Sequence, residues 1–137
     1  MHATLSDIDH IAELCLKART LSTTYNHLVE DWDRGMASLR AFITSPQSLV
    51  LYNGHGVLIA YAADSWWHDG MTISEVFFYA EKGGLSMLKE FMRWAKGFPG
   101  NNEIYIGSTF GGDKGERTDR LYKRLGIERA GTLYRVK

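Results

Sequence analysis

Three apolar runs in the middle of the chain limit its fold more than any other feature. Leu49 to Tyr52, Val57 to Ala63 and Ile73 to Ala80 are rich in β-branched and aromatic residues and are too short for ordinary helices. Asn53-Gly54-His55-Gly56 separates the first two, a composition that tolerates the positive φ angles of a tight hairpin. Asp64 to Gly70, with Trp66, Trp67 and His68, forms a second turn. The pattern predicts an antiparallel meander, which must bury its apolar faces under something else.

The flanking segments supply that cover. Ser6 is placed to cap a first helix, with Asp7 and Asp9 at the positive end of its dipole, and Ile8, Ile11, Cys15 and Ala18 form its apolar stripe. Thr20 to Arg34 lacks periodicity and reads as a loop or broken helix. Met36, Leu39, Phe42 and Ile43 mark a second helix stopped by Ser45-Pro46. After the meander, Leu88, Phe91, Met92 and Ala95 give one face of a helix from about Gly84 to Lys96. Ile104 to Ser108 follows as a strand, and Phe110 to Gly115 as a glycine-rich loop. Thr118 to Leu125 is an amphipathic helix closed by Gly126, and Glu128 to Val136 a terminal strand broken by Gly131. A helix lies between the Ile73 and Ile104 strands, so these should run parallel with a right-handed crossover. The expected fold is α/β in the α+β sense: one domain over residues 1–137, with a mixed, mostly antiparallel sheet and helices on its faces.

Charge narrows the function. Acidic and basic side chains balance at 16 each, so no global field favours nucleic acid or an anionic membrane. Cys15 is the single cysteine and has no internal disulfide partner, which fits a reducing compartment. The first residues lack the basic and apolar regions of a signal peptide, and no apolar stretch approaches the ~20 residues of a membrane span. A cytoplasmic protein without nucleic-acid or membrane partners is expected. The five histidines show no metal-ligand spacing, and no metal is expected.

Several residues suggest chemistry. The Glu81-Lys82-Gly83-Gly84 turn joins a strand to a helix start, where unpaired N–H groups and the helix dipole favour an anion; the same residues also suit an ordinary turn. Tyr122 shares one side of its helix with Thr118, Leu121 and Leu125, which aims its ring at the sheet. It serves there either as core or as a proton donor to a thiolate. Glu75 alternates with Ile73, Phe77 and Tyr79 on an otherwise apolar strand face, where burial would raise its pKa and suit it as a base, unless it is salt-bridged or at an edge. Cys15, on an apolar stripe, reads as packed core rather than a nucleophile.

Leu121-Tyr122-Lys123-Arg124-Leu125-Gly126-Ile127 resembles the Tyr-x-x-x-Gly-Phe segment of the GNAT (Gcn5-related) N-acetyltransferases, with Ile127 in place of Phe. The likeness extends from Ser6-Asp7-Ile8 to the end, and Glu116 to Arg135 is similar to small members carried by tailed bacteriophages, which would place the protein in the host cytoplasm. The resemblance implies a splayed central pair of parallel strands and acetyl-CoA as acetyl donor, delivering its acetyl group to a primary amine of a small molecule or peptide. It implies a cofactor site at Phe78, Tyr79, Ala80, Lys82, Gly83, Gly84, Leu85, Ser86 and Ser108, with Tyr122 protonating the thiolate and Glu75 as base. The acceptor would meet Tyr25, His27, Trp32, Trp66, Trp67 and His68. The family's phosphate loop is usually Gln/Arg-x-x-Gly-x-Gly/Ala, and Lys82-Gly83-Gly84 is a shortened form of it. That departure motivates an alternative, a non-catalytic GNAT-fold module that binds a partner or belongs to a virion. The last strand, Thr132 to Val136, could pair across a homodimer.

Overall fold

The computed structural model describes residues 1–22, 30–107, 112–132, 134 and 136, with the backbone alone over 112–114. Tyr25, His27 and Ser108, three of the expected site residues, lie outside the described residues.

The chain opens with a short 3-10 turn, Leu5–Asp7, that runs into helix α1, Ile8–Leu21. The Thr4 N–H donates to Asp7 Oδ2 at 2.9 Å, so Thr4, rather than the expected Ser6, marks the start. Helix α2, Trp32–Thr44, begins earlier than its periodicity suggests because Asp31 caps it, accepting the Arg34 N–H at 3.0 Å. Trp32 to Arg34 are therefore helical, not loop.

Strands β1 (Ser48–Tyr52), β2 (Gly56–Asp64) and β3 (Met71–Ala80) form the expected antiparallel meander. Helix α3, Gly84–Lys96, crosses to β4, Glu103–Tyr105, which pairs parallel with β3. The sheet order is β1-β2-β3-β4. Helices α1 and α2 bury Ile8, Ile11, Ala12 and Leu39 against Val50, Val57 and Ile59 on one face. On the other, Met87, Leu88, Phe91 and Ala95 of α3 pack on Leu49, Leu51, Leu58 and Ile73.

Helix α4, Gly112–Arg124, joins this second layer through Tyr122. It starts inside the segment read as a glycine-rich loop: Gly115 is buried, and packing overrides its poor helix propensity. Gly126, at φ 75°, closes α4. The Ile127 N–H reaches the Tyr122 carbonyl at 2.9 Å and the Gly126 N–H reaches Lys123 at 3.1 Å, the paired bonds of a Schellman motif.

Two expectations fail. The described residues from Glu128 onward form no strand. Strand β4 is only three residues long and offers little ladder, Tyr134 and Val136 are exposed, and Arg129 turns back to bond Thr132 Oγ1 at 3.0 Å. Second, Ile73, Glu75, Phe77 and Tyr79 do not share one face. Glu75 pairs with Ala60 and Phe77 with Ile59, so Val76 is an extra residue and the register shifts. This bulge flips the alternation: Ile73 belongs to the α3 layer, whereas Phe77 packs with the α1 layer.

Candidate functional site

Strands β3 and β4 part company early. Their ladder joins Thr72 to Glu103, Ile73 to Ile104 and Ser74 to Tyr105, and then ends, while β3 continues to Ala80 paired along β2. A cavity of about 1300 Å³ fills the opening and reaches both faces of the sheet. Cys15, Ala18, Arg19 and Ser22 of the α1 segment line it from one side, and Thr118, Leu121 and Tyr122 of α4 from the other. The edge of β3 from Ser74 to Ala80 forms one wall, and Tyr105 to Gly107 the opposite one.

Glu75 and Tyr122 meet at the apex of this opening. Glu75 Oε2 accepts the Gly107 N–H at 3.0 Å, and the Tyr122 hydroxyl donates to the Gly107 carbonyl at 2.6 Å. Burial raises the Glu75 carboxyl from its ordinary 4.5 to about 6, with the Gly107 N–H pulling the other way. Burial, then the charges of Glu75 and Asp119, push the Tyr122 phenol well above its usual range, so it keeps its proton at neutral pH. Burial also pushes the Cys15 thiol up to about 12, leaving it an inert wall residue.

At the far end of β3 lies the cationic corner. Ala80, Glu81 and Gly84 line the cavity; of the expected cofactor residues, Lys82, Gly83, Leu85 and Ser86 are their neighbours in sequence but do not line it. Gly83 is the N-cap of α3 in a left-handed conformation, φ 76° and ψ 15°, and no side chain caps the helix. The first intrahelical bond comes from the Met87 N–H to the Gly83 carbonyl, so the preceding N–H groups have no partner within the helix. Glu81 is occupied: it forms an ion pair with Lys17 of α1 and accepts the Tyr79 hydroxyl at 3.1 Å. The Lys17 hydrogen bond, then that of Tyr79, hold its carboxyl below the usual range.

The described residues of the expected acceptor site, Trp32, Trp66, Trp67 and His68, lie outside the cavity wall. Trp66, Trp67 and His68 sit in the turn before β3, at the end where β3 and β4 are zipped, and do not line the cavity. Trp66 is 92% and Trp67 62% exposed, and His68 Nε2 lies 2.9 Å from the Asn101 carbonyl. Strand direction is the reason: the splayed end is where β3 finishes, so a turn preceding β3 is at the wrong end. Trp32, at the start of α2, is also absent from the cavity wall. Arg19, Arg117 and Gly107 line it and were not expected; nothing local in the sequence marks them, because their roles depend on long-range pairing.

The chain matches no protein-family model and no curated relative. Solved structures do match. A probable acetyltransferase aligns with all of this chain and 95% of its own length, at a TM-score of 0.70 and 14% identity. An aminoglycoside acetyltransferase from an uncultured soil metagenomic sample, solved with sisomicin, aligns with 100% of this chain and 94% of its own at a TM-score of 0.63 and 14% identity. The fold is a GNAT-like acetyltransferase fold. A mutant of the BH1408 protein from Bacillus halodurans aligns over the whole chain and 97% of its own, with a TM-score of 0.74 and 11% identity. These likenesses establish architecture; the chemistry rests on the opening itself.

Proposed function

We propose that the protein binds acetyl-CoA in the opening between β3 and β4 and transfers the acetyl group to a primary amine. The observation that carries this reading is the parting of β3 from β4 over a half-buried carboxylate of raised pKa and a protonated phenol. Phe78 to Ala80 of β3 line the cavity along the path that an extended pantetheine arm would follow, and the uncapped start of α3 suits its diphosphate. The donor supplies an activated thioester, so the protein has only to deliver an uncharged amine and a proton for the departing sulfur. Glu75, more basic than an ordinary carboxylate yet ionised at neutral pH, takes the proton of an incoming ammonium, directly or through water. Tyr122 releases its hydrogen bond to Gly107 and donates to the sulfur. The amine enters from the α1 side, past Cys15, Ala18, Arg19 and Ser22.

The test is direct. At about 100 times its dissociation constant, acetyl-CoA should stabilise the protein by about 2.7 kcal/mol in thermal melting, and one member of a panel of primary amines should then release free CoA. Absence of any melting shift at millimolar acetyl-CoA would overturn the reading and leave the non-catalytic module.

A further inference from the structure

The corner at Lys82-Gly83 is held from outside by the β1–β2 turn. Asn53 Nδ2 donates to the Lys82 carbonyl at 2.9 Å, Asn53 Oδ1 accepts the His55 N–H at 2.8 Å, and the Glu81 N–H donates to the His55 carbonyl at 3.0 Å. A trans peptide points its C=O and N–H in opposite directions, and none of the described peptides is cis. Fixing the Lys82 carbonyl toward Asn53 therefore turns the Gly83 N–H away from the β1–β2 turn. Gly83 is left-handed and Gly84 begins a right-handed helix. Successive residues of opposite hand bring their N–H groups onto one concave side, a shape that accepts anions. The fit at this point is tight: a Cβ on Gly83 would lie 2.5 Å from Asn53 Nδ2.

We propose that Asn53 is a positioning residue for the diphosphate of the acetyl donor. Its carboxamide sets the Lys82–Gly83 peptide so that the Gly83 N–H joins those at the start of α3. A short corner has few residues to stiffen it, and the brace from β1–β2 provides the stiffness from elsewhere in the chain. The inference rests on the acetyl-CoA reading above. It concerns the diphosphate only, so a donor without that group, S-acetylpantetheine, should be indifferent to Asn53.

The experiment compares wild type with Asn53→Ser and Asn53→Ala by NMR titration, which reads affinities into the millimolar range. Serine can still cap the His55 N–H but cannot reach Lys82. Acetyl-CoA should bind both variants roughly tenfold more weakly, while S-acetylpantetheine binds all three proteins within about twofold. In wild type the Gly83 and Gly84 amide signals should move with CoA and not with S-acetylpantetheine, a readout that survives if a variant fails to fold. Unchanged acetyl-CoA binding, parallel loss of both ligands, or static Gly83 and Gly84 signals would each overturn the role of Asn53. Failure of wild type to bind acetyl-CoA at all would instead remove the underlying reading, and the role of Asn53 with it.

Discussion

Glu75 and Tyr122 hold opposite ends of one residue: the carboxylate accepts the Gly107 N–H at 3.0 Å, and the phenol donates a hydrogen bond to the Gly107 carbonyl at 2.6 Å. Just past the last rung of the β3–β4 ladder, at Ser74 and Tyr105, Glu75 of β3 reaches across to Gly107, and Tyr122 ties α4 to the same residue. Both line the opening and present the groups that the proposed chemistry needs.

Tyr122→Phe removes one of those ties. Loss of a short hydrogen bond to a partly buried carbonyl should cost about 1 kcal/mol of stability, seen as a lower midpoint in urea unfolding. Turnover with an accepted amine should fall on the order of a hundredfold, with the affinity for acetyl-CoA unchanged. A variant that turns over like wild type would remove the phenol from the proton path.

Glu75 should link stability and activity to pH with opposite signs. Its folded pKa of about 6 lies above the ordinary 4.5. The stability it contributes is thus fully present below about pH 4.5 and is lost as pH rises through about 6. Glu75→Gln cannot ionise, so relative to wild type it should gain on the order of 2 kcal/mol between pH 4 and 8. A base must be ionised to work, so wild-type turnover should rise through the same interval. Parallel stability profiles for the two proteins would show that burial does not perturb this carboxyl.

Cys15 lies on the cavity wall and is the obvious alternative nucleophile, one that would carry the acetyl group in a covalent intermediate. Its thiol, pushed up to about 12 by burial, argues for direct transfer. Labelling by Ellman's reagent at pH 8 should be on the order of a thousandfold slower in the native than in the unfolded protein, and Cys15→Ala should keep wild-type turnover. Fast native labelling, or an inactive alanine variant, would restore the cysteine to the mechanism.

Local pattern was enough for most of the elements up to β4. The meander, the crossover helix with its face at Leu88, Phe91 and Ala95, and the glycine stop at Gly126 all depend on residues close in sequence. The Val76 bulge did not show, because it is a mismatch with β2 that no window on β3 reveals. The terminal strand was overread: a β-favouring sequence forms a strand only where a neighbour offers a ladder, and β4 is too short to do so. At the site, helical periodicity marks Tyr122 and residue type marks Glu75, whereas the alternation that grouped Glu75 with Phe77 and Tyr79 breaks at the Val76 bulge. The aromatic turn at Trp66, Trp67 and His68 misled, because large rings suggest a pocket whichever end of the sheet they occupy. Gly107, Arg19 and Asn53 take their meaning from partners distant in sequence.

Glu81 poses an electrostatic problem that Lys17 answers. A carboxylate in the cavity wall beside Gly84 would repel a diphosphate, yet this one is paired with Lys17 and bonded to Tyr79. Lys17→Met should leave that charge uncompensated and weaken acetyl-CoA binding roughly fivefold at low salt, an effect that shrinks as screening shortens the reach of the charge. Glu81→Gln should bind at least as tightly as wild type, and the double variant should recover what Lys17→Met lost. Calorimetric titrations of the four proteins at 20 mM and 500 mM salt decide the matter. If Lys17→Met weakens binding equally at both ionic strengths, and Glu81→Gln does not rescue it, then Lys17 acts by packing α1 against the end of β3, and the charge of Glu81 plays no part in excluding or admitting the anion.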